Sequence, residues 1–157
     1  MQVNMVGMRE EFAMKISTRG RYALRLMMDI ALAESDAPVR IKDIAARQEL
    51  SEKYLEQIVS VLNKSGQVRS SRGPQGGYRL TRAPEEYTAG EIVSAVEGGF
   101  APVACLESEI NECPRHQSCA TLRLWEKLND AIKSVMESVT LADLIQWQRE
   151  LEAPKKK

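Results

Sequence analysis

All three cysteines of this chain lie with its only histidine in one stretch of fifteen residues, CLESEINECPRHQSC. Cys105 opens the stretch, Cys113 and His116 follow, and Cys119 closes it. Unpaired cysteines are usually buried in apolar cores, whereas polar and charged residues separate these. Clustered cysteines in a reducing compartment point to metal or redox chemistry. The stretch is therefore a candidate functional site, with three unrelated structural thiols as the alternative.

The residues alone leave the identity of the metal open. Iron–sulfur clusters are held by thiolates, but gaps of seven and five residues are not among the common ferredoxin spacings. A structural zinc site made of Cys105, Cys113, His116 and Cys119 is the alternative. Zinc cysteines are typically paired across about two to four residues, so the spacing does not favour zinc either.

A cysteine-dependent enzyme would be a different class of protein. Cys113 or Cys119 could act as a nucleophile with His116, which lies three residues from each. A catalytic thiol also needs a base that is held and oriented by a third group. The loop offers no evident rigid support, and the sequence has no oxyanion-hole motif. We therefore predict that the chain is not an enzyme.

The charges of the 157-residue chain sum to zero but are unevenly distributed. Residues 15–82 hold 13 Lys+Arg against 7 Asp+Glu, whereas residues 83–157 hold 8 against 13. A basic half joined to an acidic half suggests a module that faces a polyanion. No apolar stretch is long enough to span a bilayer, and no secretory signal is evident. We therefore expect a cytoplasmic protein with no membrane partner.

The first half of the chain predicts a helix-turn-helix followed by a hairpin. Apolar residues at helical spacing predict a buried helix over 18–33. A short helix in RIKDIAARQE and a longer one in LSEKYLEQIVSVLNKSG follow, the latter capped by Ser51 and ended by Gly66. QVRSSRGPQGGYRLTR then predicts a basic hairpin that turns at GPQGG. The pattern predicts a mainly α fold with a winged helix-turn-helix DNA-binding domain.

The second half of the chain predicts three more helices, of which the middle one is long and carries an apolar seam. Thr88 begins a helix with Glu91 completing a capping box, Gly98 ends it, and Thr140 caps a last short helix. Between them, apolar residues alternate spacings of three and four, as in a heptad seam. The seam predicts a long C-terminal dimerisation helix, with packing inside one chain as the alternative. Its members are Trp125, Leu128, Ile132, Val135 and Val139.

The start of the longer helix supplies candidate base readers, because a recognition helix places its N-terminal residues against base edges of double-stranded DNA. Gln57 can read an adenine, Glu56 can accept from a cytosine amine, and Ser51 can contact a base or a phosphate. Tyr54 is either part of this surface or a half-buried aromatic.

Other residues are candidates for positioning the protein on DNA. Lys42 and Lys53 are predicted to contact phosphates, since point charges position without specifying sequence. Arg72, with the adjacent Gly73, lies at the predicted wing tip, where an arginine fits a narrow minor groove. A solvated turn arginine is the alternative for Arg72.

These residues together resemble the IscR/NsrR/CymR family of bacterial winged-helix transcription regulators, most closely its IscR-like iron–sulfur members. The resemblance lies in MKISTRGRYALRLMMDIAL, SEKYLEQIVSVLNKSG, SSRGPQGGYRL and the three cysteines ahead of a Leu-Trp helix. It implies a homodimer, a palindromic operator and, in many members, a cluster that changes DNA affinity. It adds weight to an iron–sulfur cluster held by Cys105, Cys113 and Cys119, with 2Fe-2S favoured over 4Fe-4S.

The chain departs from this family at the fourth cluster ligand. IscR-type relatives have a histidine three residues after the third cysteine, where this chain has Leu122. NsrR-type relatives borrow an acidic residue from the partner's first helix, where this chain has Arg21. His116, a loop glutamate or an outside group could take that place. A cluster-free, CymR-like regulator of sulfur metabolism that acts with a cysteine-biosynthesis enzyme is the alternative.

We therefore predict a homodimeric transcription regulator, a repressor, that senses iron–sulfur, redox or nitric oxide status. Residues 1–13 are expected to be a disordered extension and residues 14–99 the winged helix-turn-helix domain. Residues 100–118 are the ligand loop, residues 119–152 the dimerisation helices and residues 153–157 a tail.

Overall fold

The computed structural model describes residues 16–33 and 36–154. The predicted extension of residues 1–13 and the three final lysines lie outside these ranges. Within them the chain forms six α-helices and one antiparallel pair of strands, which confirms the predicted mainly α fold. The elements are α1 Thr18–Leu32, α2 Ile41–Gln48, α3 Glu52–Lys64, β1 Val68–Ser71, β2 Gly77–Leu80, α4 Ala89–Glu97, α5 Leu122–Ser138 and α6 Leu141–Glu152, with short 3-10 helices at Pro84–Glu86, Ala104–Leu106 and His116–Ser118.

Helix α1 lies at the centre of the fold. The hydroxyl of Ser17 caps it by accepting a hydrogen bond from the backbone N–H of Arg19 at 3.1 Å. Leu26 and Met27 on its inner face are fully buried, and the helix contacts α2, α3, α4 and α6. Ile145 of α6 belongs to the same apolar core, so one core joins helices from both ends of the chain.

A buried carboxylate fixes the end of α2 against α1. Arg47 Nη2 donates to Asp29 Oδ1 at 2.5 Å, and Gln48 Nε2 donates to Asp29 Oδ2 at 3.0 Å. This hydrogen bond to Asp29 raises the pKa of Arg47. The next residue, Glu49, has a φ of 53°, a left-handed conformation that is uncommon outside glycine. The turn of the helix-turn-helix is thus held on its α2 side by Asp29.

Helix α3 has the predicted cap and the predicted amphipathic face. The Ser51 hydroxyl accepts a hydrogen bond from the Tyr54 backbone N–H at 3.3 Å, which satisfies a donor that the first turn leaves free. One face is buried and the opposite face is exposed, so α3 lies on the core with a polar side open. The buried residues are Leu55, Ile58, Val59 and Leu62.

The two strands form the predicted wing. Val68 pairs opposite Leu80 at its base, and the tip turns through Gly73, whose φ is 100°. A Cβ on Gly76 would lie 2.4 Å from the Ser71 carbonyl oxygen, so the return of the chain into β2 requires glycine.

The buried hydroxyl of Tyr87 ties the base of the wing to the segment that enters α4. It donates to the Gln67 carbonyl at 2.7 Å and accepts from the backbone N–H groups of Thr81 at 2.9 Å and Arg82 at 3.0 Å. Both ends of the wing therefore meet on one side chain.

Helix α4 has the predicted Thr88 cap but not the predicted capping box. The Thr88 hydroxyl accepts from the Glu91 backbone N–H at 3.1 Å, and Gly98 ends the helix with a φ of 80°. The prediction that the Glu91 side chain completes a capping box is wrong, because its carboxylate forms a salt bridge with Arg82 instead. That bond raises the pKa of Arg82, whose guanidinium lies 4.3 Å from the centre of the Tyr87 ring.

Helix α5 ends one residue before the predicted seam does. Val139 is extended, with φ −92° and ψ 118°, so its assignment to a helical seam is wrong. Its carbonyl instead accepts from the Ala89 backbone N–H at 2.8 Å, while the Leu141 N–H donates to the Tyr87 carbonyl at 3.0 Å. These bonds join the α5–α6 junction to the start of α4.

Helix α6 begins with the predicted Thr140 cap. The Thr140 hydroxyl accepts from the Asp143 backbone N–H at 3.1 Å, and the Thr140 backbone N–H donates back to the carboxylate at 2.8 Å. This backbone hydrogen bond lowers the pKa of Asp143. Across the described ranges, no helix combines the length and the apolar character needed to cross a membrane.

Candidate DNA-binding surface and metal centre

The exposed face of α3 carries the predicted base readers and a predicted phosphate contact together. Ser51, Lys53, Glu56 and Gln57 are all exposed. Lys53 and Gln57 are four residues apart and therefore neighbours on one helix face. Lys42, near the start of α2, is exposed as well. Hydrogen-bonding and cationic groups at α3, and one cation on α2, are thus exposed and available to a ligand.

Tyr54 lies at the edge of this surface and is half-buried. Its ring meets the Tyr22 ring edge-on, with centroids 5.8 Å apart and planes at 81°. Its hydroxyl lies 3.4 Å from Thr18 Oγ1. The half-buried alternative therefore describes the ring, which packs α3 against α1, while the edge of the side chain stays accessible.

The wing tip is open to solvent. Arg72 and Gly73 are both exposed, and a Cβ added at Gly73 would meet no atom within 4 Å. Glycine is needed at this position for its backbone conformation, since a φ of 100° is strained for other residues. The tip is therefore open to close approach by another molecule.

The three cysteines are free thiols that are each partly buried. Cys105 and Cys113 line a shared depression of about 310 Å³, together with Glu112. The Cys113 backbone N–H donates to Asn111 Oδ1 at 3.0 Å, which shapes the turn that carries the thiol. Cys119 does not line this depression and lies three residues before α5 begins.

The two remaining candidate ligands also have defined surroundings. The hydroxyl of Thr121 lies 3.2 Å from the Cys119 sulfur and lowers the pKa of that thiol, with a further contribution from the Leu122 backbone. The thiolate is the form that binds metals. His116 Nδ1 lies 2.7 Å from the Cys113 carbonyl, which can only accept, so Nδ1 carries the proton. Nε2 of the neutral ring is then free to act as a ligand.

The donor set suits an iron–sulfur cluster, but the thiols are not gathered. Three unpaired sulfurs on one loop are the ligand type that such clusters use. Among the residues that the structure describes, no three His, Cys, Asp or Glu side chains are placed to hold one metal ion. Leu122 is buried in α5 and Arg21 is exposed on α1, and neither can donate to iron. Binding one metal centre through all three thiols would therefore require the loop to change its path.

One feature near the seam was not anticipated from the sequence. Asn129 of α5 is 7% exposed, and its Oδ1 has no hydrogen-bond partner. The side chain lines an open groove of about 1220 Å³ between α5 and the segment from the end of α4 to Glu107. A polar residue directly after Leu128 in the apolar seam was the available signal. A buried carbonyl oxygen without a donor costs free energy, so Asn129 is an uncommon residue at this place in α5.

A helix-turn-helix with an exposed polar α3, followed by a two-stranded basic wing, defines a winged-helix DNA-binding regulator. This chain belongs to the Rrf2 family, described as an iron-dependent transcriptional regulator, whose sequence profile matches residues 16–147. The predicted family and the prediction that the chain is a regulator and not an enzyme are therefore confirmed.

Individual relatives agree with this assignment. The chain is 43% identical to Protein rrf2 of Nitratidesulfovibrio vulgaris over 132 residues, which are 84% of this chain and 87% of the relative. The structure of CymR, the global cysteine regulator of B. subtilis, matches with a TM-score of 0.70 and 41% identity over 85% of this chain and 97% of that one. The T. potens IscR structure matches with a TM-score of 0.72 and 37% identity over 90% and 93%.

Proposed function

We propose that this regulator is a cytoplasmic homodimeric repressor of a palindromic operator, and that an iron–sulfur cluster on the loop from Cys105 to Cys119 changes its affinity for DNA. The observation that carries the proposal is the placement of three free thiols on the loop that leads directly into α5. We take residues 14–99 as the DNA-binding part and residues 119–152 as the dimerisation helices.

The proposed contacts with DNA follow from exposure and chemistry. Gln57, Glu56 and Ser51 would reach base edges in the major groove, where amides, carboxylates and hydroxyls distinguish bases. Lys42 and Lys53 would contact phosphates. Tyr54, Arg72 and Gly73 are the other proposed contacts with DNA.

The proposed dimer would form along α5. Trp125, Leu128 and Ile132 are only partly buried, and Val135 is 60% exposed. A heptad seam that is left half open within one chain fits a partner helix. A second copy would also cover the groove where Asn129 lacks a donor. Two recognition helices related by a twofold axis then read the two halves of a palindromic site.

In the proposed ligand set, Cys105, Cys113 and Cys119 hold the cluster, and His116 is our candidate for the fourth ligand. The cluster supplies a bound centre whose presence reports iron, redox or nitric oxide status, with 2Fe-2S favoured. Cys119 is three residues from the start of α5, so drawing it toward the other thiols would pull on that helix. Because α5 would set the spacing of the two recognition helices, loop closure would bias DNA affinity through a two-state element.

A cluster-free regulator is the second candidate. Leu122 and Arg21 replace the ligands that the family resemblance would lead us to expect. Among the described residues, no three potential ligands are placed to hold one metal ion. The relative CymR is named as a global cysteine regulator. On this alternative the chain would act with a cysteine-biosynthesis enzyme as its protein partner. A zinc site at the same four residues is a third and weaker alternative.

The proposal is tested by loading anaerobically purified protein with iron and sulfide. We expect a visible absorption band, stoichiometric iron and sulfide, and different operator affinities for the loaded and apo forms. Each of Cys105→Ser, Cys113→Ser and Cys119→Ser should lose the cluster, because at most two protein thiolates would remain. His116→Ala should retain it but shift its reduction potential or stability, since a non-thiolate ligand tunes the cluster.

Ser118→Ala, in the same loop but without a ligand atom for iron, is the matched control and should load normally. Full iron in the triple Cys→Ser variant would refute the site. Equal affinity of loaded and apo protein across several operators would remove the switch and leave the site. Zinc in place of iron in freshly isolated protein would favour the zinc alternative.

A further inference from the structure

Two arginines face each other across the wing. In the antiparallel register of β1 and β2, Arg69 is the direct partner of Arg79. The neighbouring pair, Val68 and Leu80, is partly or fully withdrawn from solvent, whereas both arginines are exposed. Since successive residues of a strand point to opposite faces, the arginines share the outer face of the wing.

This arrangement is unfavourable in the protein alone. Like charges directly opposite each other in an antiparallel pair destabilise it. No carboxylate compensates: within residues 16–33 and 36–154, neither Arg69 nor Arg79 forms a salt bridge or a side-chain hydrogen bond. The outer face of the wing therefore carries two arginines at directly opposed positions, whose guanidinium donors are not used within the described residues.

Three other arginines of the described residues are each paired with a carboxylate. Arg47 pairs with Asp29, Arg82 with Glu91, and Arg40 with Asp43. These three stabilise turns and helix ends within the chain. Arg69 and Arg79 differ from these three arginines, because their charges are exposed to solvent and have no carboxylate partner among the described residues.

We propose that Arg69 and Arg79 form a two-arginine site for one backbone phosphate of duplex DNA, beside the groove that Arg72 at the wing tip would enter. The inference rests on the proposed DNA-binding function and adds a subsite to it. Guanidinium groups present several donors in a fixed geometry that matches phosphate oxygens. A phosphate between the two groups replaces their repulsion with two attractive contacts. The site positions the wing on the backbone and reads no base.

The proposal predicts opposite effects on DNA binding and on the stability of the free protein. The double variant Arg69→Gln/Arg79→Gln should bind operator and random duplex more weakly by a similar factor, roughly five- to tenfold at about 0.1 M salt. The slope of log K against log salt should become less negative by about 0.9. The melting temperature of the free variant should rise by about 1–3 °C as the repulsion is removed.

Measurements are made on the full chain by fluorescence anisotropy with a labelled operator duplex and a scrambled duplex, at several salt concentrations. Arg149→Gln removes one charge from the exposed side of α6, away from the wing and from the proposed α5 contact. It is the control and should leave the salt slope unchanged. An unchanged slope in the double variant, or a loss confined to the operator, would overturn the phosphate site while DNA binding by the wild type stands. Wild-type protein that binds neither duplex would overturn both this site and the proposed function.

Discussion

At the scale of single residues, the exposed face of α3 separates side chains that could carry sequence information from those that could supply only affinity. Gln57 and Lys53 lie on one ridge of the helix and are both exposed. An amide can form two hydrogen bonds with an adenine, whereas an ammonium is a point charge that suits a phosphate. The two residues should therefore respond differently to substitution.

Gln57→Ala should cost about 1–3 kcal/mol of discrimination between the operator and random DNA. Lys53→Ala should weaken both complexes equally and make the salt slope less negative by about 1. Competition titrations with the two duplexes measure both effects. Ser60→Ala, one turn further along the exposed side of α3, is the control. Equal losses on operator and random DNA for Gln57→Ala would exclude it as a base reader.

The sequence located the cysteines but not their environment. The amino-acid sequence shows their positions, the polar residues between them and the lack of a histidine at position 122. The neighbours that matter, such as Thr121 beside the Cys119 sulfur and the Cys113 carbonyl beside His116, depend on the path of the loop. Turns set that path, and the residue types in them restrict the backbone conformation only loosely.

At the scale of elements, the turn between α2 and α3 depends on a side chain from a third helix. Asp29 is 7% exposed and accepts from Arg47 and Gln48. A buried carboxylate that loses its partner retains its desolvation penalty. The orientation of α3, which carries the proposed base readers, therefore depends on one ion pair inside the DNA-binding half.

Arg47→Ala should lower the free energy of unfolding by about 1–3 kcal/mol, because Asp29 is left buried with one neutral donor. Arg40→Ala is the matched control, since the Arg40–Asp43 pair is exposed and such pairs contribute about 0–1 kcal/mol. Urea denaturation of both variants gives the comparison. Equal losses would show that burial of Asp29 does not set the energy of its pair.

Helix boundaries were predictable where a local signal decides them. Ser51, Thr88 and Thr140 cap α3, α4 and α6 as expected, because a hydroxyl at that position satisfies a donor a few residues away. Predictions failed where a distant group competes. The Glu91 carboxylate forms a salt bridge with Arg82 instead of completing the cap of α4. The Val139 backbone is extended instead of helical, and its carbonyl accepts a hydrogen bond from Ala89.

At the scale of the whole molecule, the apolar side of α5 is left partly exposed in a single chain. Ile132→Asp should place a charge in the proposed contact between two copies and give a monomer with weak operator binding. Analytical ultracentrifugation at micromolar concentration measures the result. Leu151→Asp, on the highly exposed end of α6, is the control and should remain dimeric. An intact dimer in Ile132→Asp would mean that α5 packs within its own chain and the dimer is built elsewhere.

The return of α6 onto α1 has a consequence for how the molecule comes apart. Leu141 and Ile145 are buried in the same core as Leu26, although more than a hundred residues separate them along the chain. A fragment that stopped at Gly99 would expose the apolar floor beneath α6 to water. We therefore expect the helices before Gly99 and helix α6 to unfold as one cooperative unit. Helix α6 therefore cannot leave its place without opening the core around α1, which couples the last helix of the described chain to the first.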